Sequence, residues 1–99
     1  MPAFELDWDD EDDSYGNVAH IARHRLSPED VEEALDDPRR LYVPAYSTET
    51  ERRWGIVGAA SDGRIIFVVY TRRSGRPRVV TARPASEWHK REYRRRRRR

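Results

Sequence analysis

Apolar positions in the first third of the chain recur with the spacing of an α-helix. Two segments show this spacing, residues 14–24 and residues 28–37. In each of them apolar side chains stand three or four positions apart and would lie on one helix face. Ser27 can cap the second helix, Pro28 fits its first position, and Pro38 prevents it from continuing.

Strand patterns occupy much of the remaining chain, and short turns separate them. The predicted strands are residues 4–8, 41–43, 54–60, 64–71 and 78–83. The first alternates apolar and polar residues and would be an edge strand, with Phe4, Leu6 and Trp8 facing inward. The fourth is a continuous apolar run, which is typical of a central strand covered on both faces. Turn residues join the last three strands into an antiparallel meander.

A final helix is predicted from residues 84 and 85 onward. It contains Trp88 and Tyr93 and leads into the arginine run of residues 94–99. The resulting order, β-α-α-β-β-β-β-α, indicates an α+β fold with helices packed on an antiparallel sheet. A chain of 99 residues has room for one domain, residues 1–93, followed by a basic tail.

Composition excludes several classes of site. The chain has no cysteine, so disulfides and thiolate metal sites are excluded. His20, His24 and His89 lack the companion ligands of a structural zinc site, and we expect no cofactor. No run approaches the roughly 18 apolar residues of a membrane span, and the acidic N-terminus is unlike a secretion signal. We therefore expect a cytoplasmic protein that does not use a membrane.

The charges are divided between the two parts of the chain. Residues 1–38 carry 13 acidic side chains and two arginines, a net charge of −11. Residues 39–99 carry 18 Lys and Arg side chains and five acidic ones, a net charge of +13, so the whole chain has a net charge of only +2. This division predicts a polyanion-binding surface built from the second part. A solvated surface with unevenly spread charges is the alternative.

Four segments carry motifs that occur together in one order. They are Phe4–Asp9, His20–Glu29, Asp62–Arg64 before the apolar strand, and Arg78–Ser86, with Tyr93 one helix beyond. Between about residues 4 and 93 this order resembles the BrnT family of toxins, which share the RelE-like fold.

The chain departs from that family at three places. Asn often stands at the position of His20 and Gly at that of Arg25. The spacing from Trp8 to His20 is also several residues longer. His89 occupies the acidic position four residues before the helix tyrosine.

The resemblance implies an endoribonuclease that uses no metal. In that reaction the ribose 2′-OH attacks its own 3′-phosphate, which requires a base, cations around the phosphate and an acid at the leaving oxygen. The resemblance also implies a cognate ribbon-helix-helix antitoxin that binds the basic face, and a complex that represses its own promoter DNA. Whether the substrate is free RNA or ribosome-associated mRNA stays open.

Arginines at the strand ends are the candidate phosphate ligands, because the guanidinium forms paired hydrogen bonds and keeps its charge. Arg83 and Arg64 would lie at the same end of neighbouring antiparallel strands and could share a catalytic site. The other end would hold a group of RNA contacts, namely Arg72, Arg73, Arg76 and Arg78. Each of these could instead be a solvated surface charge.

The acid and base have several candidates. His20 and His24 lie one helical turn apart, and histidine titrates near neutral pH. Either could transfer a proton, cap the helix, or hold a metal as a pair. His89 could replace the missing acid, whereas Tyr93 could donate a hydrogen bond to phosphate or belong to the core.

Two hypotheses from other functional classes stay open. The first is a non-catalytic nucleic-acid-binding module, which His89 favours because it replaces an acid. The second is an interaction protein whose divided charges dock a partner. The arginine run of residues 94–99 could bind any polyanion or be a disordered end.

Overall fold

The computed structural model describes residues 5–97, so the predicted inward position of Phe4 lies outside the described residues. The elements are α1 (Asn17–Ala22), α2 (Pro28–Asp36), β1 (Leu41–Val43), β2 (Trp54–Ala59), β3 (Ile65–Arg73), β4 (Arg76–Pro84) and α3 (Glu87–Arg97). The four strands form one antiparallel sheet in the order β1-β2-β3-β4. The α+β class and the antiparallel meander are therefore confirmed.

The predicted opening strand is wrong for the described part of that segment. Residues 5–8 run beside β4 without strand structure. The backbone N–H of Asp7 donates to the Pro77 carbonyl over 2.8 Å, but Pro77 has no N–H with which to extend a ladder. Side chains replace the missing pairing, because Arg76 and Arg78 donate to carbonyl groups of the segment.

The sheet is covered on both faces, as predicted for its central apolar strand. On one face α1 and α2 pack against alternate strand residues, in a cluster that includes Ile21, Val31, Leu35, Ile56, Ile66, Val68, Val79 and Ala82. On the other face α3 packs Tyr93 against a second cluster formed with Val57, Phe67, Val69 and Ala85. Strand alternation separates these two clusters.

The helix α2 has the predicted cap and lies very close to β2. Ser27 accepts a hydrogen bond from the Asp30 N–H, and the Asp30 carboxylate accepts one from the Ser27 N–H. At Gly58, an added Cβ would lie 2.1 Å from the carbonyl oxygen of Ala34. Only a residue without a side chain permits this approach of helix to strand.

The helix α1 is shorter than the predicted residues 14–24. Asn17 begins it with its backbone N–H bonded to the Asp9 carboxylate, and the Asn17 side chain bonds back to the Asp9 N–H. The same side chain donates to the carbonyl of Val79 on β4. These contacts fix the helix start at Asn17, so the preceding acidic residues form turns.

The end of α1 places a non-glycine residue in the left-handed backbone region. Arg25 has φ +63°, its N–H donates to the Ala22 carbonyl, and the Leu26 N–H donates to the Ile21 carbonyl. This is the Schellman arrangement that glycine favours at the same position. Leu26 and Ile21 both belong to the core cluster, so packing holds Arg25 in a costly conformation.

The carboxylate of Asp37 joins three elements at the end of α2. It accepts backbone hydrogen bonds of 2.9 Å from Ala59 and from Arg39, and the Tyr93 hydroxyl donates to it from α3. Burial alone would raise the pKa of Asp37, but these hydrogen bonds outweigh burial and hold its pKa below the usual 3.8. Asp37 therefore anchors α3 as an ionised group.

Replacing Arg25 with glycine should stabilise the protein. Arg25→Gly removes the cost of a Cβ in the left-handed region, and we expect the free energy of unfolding to rise by about 0.5–1 kcal/mol. Arg23→Gly is the matched control, because Arg23 has helical backbone angles and the same change there should destabilise. Urea unfolding measures both, and equal signs for the two variants would contradict the prediction.

Removing the Tyr93 hydroxyl should weaken the Asp37 anchor. Tyr93→Phe leaves the ring in the core but deletes a hydrogen bond to a charged group, so we expect a loss of roughly 1–3 kcal/mol near neutral pH. The pKa of Asp37 should rise with that loss. Because a carboxyl group with a lowered pKa contributes stability that disappears as pH falls through its folded pKa, acid unfolding should begin at a higher pH.

The control for this anchor variant is Tyr46→Phe, because the Tyr46 side chain is 86 % exposed. Thermal unfolding between pH 3 and pH 7 should show a difference between the two variants. Identical curves would mean that the Asp37–Tyr93 hydrogen bond contributes nothing to stability.

Candidate active site

Arg83 and His89 meet on one aromatic ring. Arg83 of β4 pairs in register with Phe67 of β3, so their side chains lie on the same sheet face. The Arg83 Cζ atom lies 5.2 Å from the centre of the Phe67 ring. The His89 imidazole stacks on the same ring, with centroids 4.6 Å apart and planes 26° apart. The structure thus brings together two residues that the sequence predicted separately.

The surroundings of His89 favour its neutral form. Burial lowers the pKa of His89 below its usual 6.5, and the positive charge of Arg83 lowers this pKa further. Within residues 5–97, its Nδ1 atom is buried without a hydrogen-bond partner. An imidazolium would need acceptors at both nitrogens, so this position is unfavourable for the charged ring. His89 is therefore available to accept a proton at neutral pH.

The guanidinium of Arg83 is open to solvent. The Arg83 side chain is exposed and lies over the Phe67 ring. Within the described residues this side chain makes no hydrogen bond or ion pair. Its paired N–H groups are the kind of donor that binds a phosphate oxygen pair. The exposed guanidinium and the neutral imidazole thus both contact the Phe67 ring.

Arg64 does not join this pair. Its Nε atom donates to Asp62 over 2.6 Å, and its two terminal nitrogens contact Asp30 and the Arg25 carbonyl over 3.0 Å each. Asp30 and Arg25 lie with α2 and α1, on the opposite side of the sheet from Phe67, whereas Asp62 lies in the turn between β2 and β3. We predicted a shared site because Arg64 and Arg83 stand at the same end of neighbouring strands. In the structure the two side chains extend to opposite faces of the sheet.

The arginines of the β3–β4 hairpin divide into two pairs. Arg78 binds the Asp9 carboxylate with contacts of 2.6 and 3.0 Å and holds the pKa of Asp9 below its usual value. Arg76 donates to carbonyl groups of the N-terminal segment. Arg72 and Arg73 are exposed and make no ion pair within the described chain. Two of the four predicted RNA contacts therefore hold the N-terminal segment.

His20 and His24 lie together as their spacing predicted. Their ring centres are 5.7 Å apart, and the His20 Nε2 atom lies 2.9 Å from the hydroxyl of Thr81. Thr81 precedes Arg83 by two residues on β4, which places His20 beside the strand that carries Arg83. In residues 5–97 no cluster of three or more His, Cys, Asp or Glu side chains is arranged to hold a metal ion.

Tyr93 is turned away from solvent. Its side chain is only 3 % exposed, and its hydroxyl donates to Asp37. The sequence left two alternatives for Tyr93, a hydrogen bond to phosphate or a place in the core, and the structure gives it the core position.

From the sequence we did not predict Phe67 or Trp88 as parts of the site. Phe67 belongs to an apolar strand, and only the strand register reveals that it lies opposite Arg83. Trp88 is 52 % exposed, and its ring meets the His89 ring edge-on at 5.3 Å. The charged residues close to Trp88 in the sequence, Glu87 and Lys90, were an available sign of this exposure.

The charge division of the sequence becomes a division between the sheet faces. The exposed acidic side chains of α2 are Glu29, Glu32, Glu33 and Asp36. The exposed basic side chains of α3 include Arg91, Arg94, Arg95 and Arg96. A cavity of about 470 Å³ near Asp37 is lined by three carboxylates and one arginine, which makes it unsuitable for a phosphate. The basic face is therefore the face that carries Arg83 and His89.

None of the helices within residues 5–97 has the length and apolar character needed to cross a membrane. A search of curated proteins finds no match to this chain. A family model described as the ribonuclease toxin BrnT of type II toxin–antitoxin systems matches residues 8–89. The matched range covers most of the chain and includes Phe67, Arg83 and His89. The chain therefore belongs to the BrnT family of ribonuclease toxins.

Proposed function

We propose that this toxin is a metal-independent endoribonuclease whose reaction takes place at Arg83 and His89. One observation supports this most directly. The exposed guanidinium of Arg83 and the neutral imidazole of His89 both contact the Phe67 ring on the basic face. A phosphate bound to Arg83 would bring the adjacent ribose toward His89.

The chemistry needs one proton removed and one delivered. His89 accepts the proton of the ribose 2′-OH while that oxygen attacks the adjacent phosphorus. Arg83 stabilises the negative charge that develops on the phosphate oxygens. The P–O5′ bond breaks, and the leaving oxygen takes a proton from water, giving a 2′,3′-cyclic phosphate and a 5′-hydroxyl end. His20 and His24 lie on α1 and in the turn after it, and α1 packs on the other face of the sheet. A metal ion is not required in any of these steps.

The resemblance to the BrnT family also leads to a proposal about the partners of this toxin. The α3 face would be covered by a ribbon-helix-helix antitoxin, whose complex would bind its own promoter DNA. The arrangement of the sheet and helices is compatible with a RelE-like fold in one domain, and α3 continues the basic face into the arginine tail. The RNA substrate, free or ribosome-associated, places the proposed action in the cytoplasm.

A non-catalytic RNA-binding module on the same fold is the second candidate. It is favoured by the structural roles of Arg64 and Tyr93, because both are held by carboxylates instead of facing the Arg83–His89 pair. In that case the basic face would bind RNA without cleaving it.

Growth after induced expression distinguishes these candidates. Wild type should arrest growth, whereas Arg83→Ala and His89→Ala should not, because each change removes either the phosphate ligand or the base. With purified protein we expect RNA cleavage to fall by about 100-fold or more in each variant. Arg39→Ala is the control, since it removes an exposed arginine beside the acidic cavity.

Two results would count against the proposed site or reaction. Full arrest by Arg83→Ala would show that the reaction takes place elsewhere. Normal growth with soluble wild-type protein that still binds RNA would favour the non-catalytic module.

The pH dependence of cleavage should identify His89 as the base. Because the pKa of His89 is lowered, the neutral ring persists below pH 6.5, and wild-type activity should fall only at more acidic pH. Arg83→Gln removes a charge that lowers this pKa, so the remaining activity should begin to fall at a higher pH. Burial stays in place, so only part of the shift should be reversed. Cleavage rates between pH 4 and pH 8 provide the test, and an unmoved acid limb in Arg83→Gln would contradict it.

A further inference from the structure

Trp88 is a large aromatic side chain that stays half exposed in the folded protein. The helix α3 directs Tyr93 into the core and His89 onto Phe67, while Trp88 keeps 52 % of its surface exposed. Its described ring contact is an edge-on one with His89. Folding therefore uses only part of this ring, and the remainder is free to contact a partner.

The position of Trp88 connects it to the candidate active site. An unbroken chain of ring contacts runs from Trp88 to His89 over 5.3 Å and from His89 to Phe67 over 4.6 Å, and Arg83 lies 5.2 Å above Phe67. A nucleotide whose phosphate is bound by Arg83 would thus have a neighbouring base close to the indole.

The neighbours of Trp88 favour nucleic acid over protein as its partner. One helical turn beyond Trp88 lie Arg91 and Glu92, and Glu87 and Lys90 form an ion pair close by in the sequence, so all four of these α3 side chains are charged. Other large exposed apolar side chains of the described chain, Tyr15, Tyr42 and Tyr46, lie outside α3. The core of a protein interface is depleted of charged side chains other than arginine, whereas charges of both signs surround Trp88. A base needs only one aromatic face and nearby cations, which is the arrangement seen here.

We propose that Trp88 stacks on an unpaired base next to the phosphate held by Arg83, and thereby selects single-stranded RNA. The inference rests on the proposed function for the location of that phosphate. In a duplex the bases stack on one another and their faces are closed, so Trp88 contributes nothing there. Trp88 is accordingly a substrate-binding residue, while Arg83 and His89 act on the phosphate and the hydroxyl.

The test uses the full chain and a short single-stranded RNA with 2′-O-methyl riboses, which cannot be cleaved by 2′-OH attack. Stacking on an aromatic residue is worth about 1–3 kcal/mol per base, so Trp88→Ala should weaken binding roughly 5- to 150-fold in fluorescence anisotropy. Trp88→Phe retains an aromatic face and should keep most of the affinity. Tyr46→Ala, which removes another exposed aromatic ring, should bind like wild type.

The dependence of RNA affinity on salt concentration distinguishes base stacking on Trp88 from phosphate binding by cationic side chains. Trp88→Ala removes no cation, so its slope of log affinity against log salt should equal that of wild type, while Arg83→Ala should reduce the slope by about one. Affinity for the matching duplex should not change in Trp88→Ala. Unchanged single-strand affinity in Trp88→Ala, or an equal loss in Trp88→Phe, would overturn the inference, and so would an equal loss for duplex and single strand.

Failure of the inference can be told apart from failure of the proposed function. If Trp88-dependent binding to the single strand occurs but the unmodified RNA is never cleaved, the stacking inference stands and the ribonuclease proposal fails. If RNA is cleaved at Arg83 and His89 but Trp88→Ala binds normally, the inference fails alone. In that second case, loss of antitoxin binding by Trp88→Ala would assign the ring to the protein partner.

Discussion

The position of α3 depends on the hydrogen bond between the Tyr93 hydroxyl and the ionised carboxylate of Asp37. This carboxylate stands directly after α2, receives the N–H of Ala59 at the end of β2, and accepts the Tyr93 hydroxyl. Without it, α3 would be held to the sheet mainly by the packing of two rings, Tyr93 in the second core cluster and His89 on Phe67. Since α3 carries both His89 and Trp88, the geometry of the proposed site is set by a carboxylate that does not belong to it.

The many arginines of this chain perform different tasks that composition cannot separate. Arg78 and Arg64 are bound by carboxylates and hold chain segments together, and Arg76 replaces strand pairing at the edge of the sheet. Arg83 lies over an aromatic ring and keeps its donors free. The guanidinium group is the same in each case, and only its partners in three dimensions determine whether it stabilises the fold or can bind a ligand.

Local patterns predicted the elements that depend on neighbouring residues. The capped start of α2, the meander and the doubly covered strand β3 follow from caps, turns and apolar runs, and all are present in the structure. The opening strand failed because its partner, β4, contains Pro77 at the position that would return a hydrogen bond. That incompatibility lies about 70 residues away in the sequence, beyond the reach of a local pattern.

Less of the candidate site could be predicted than of the fold. Arg83 was identified from its place at a strand end and His89 from a departure from the family pattern, but their common contact with Phe67 depends on strand register and on the anchoring of α3. Arg64 was placed with Arg83 because strand ends fix the level along a sheet but not the face from which a flexible side chain extends. Charge and residue type suggested the participants, and three-dimensional packing decided which of them meet.

The opposed charges of α2 and α3 have a consequence for how the molecule moves before it touches RNA. Acidic side chains on one side of the sheet and basic ones on the other give the protein an electric dipole across the sheet. In the field of a polyanion such a molecule turns as it diffuses, so that more encounters occur with the α3 side leading. At physiological ionic strength this torque acts only within about 8 Å of the surface. The folded arrangement of charge thus affects the orientation of each collision, even though the net charge of the chain is small.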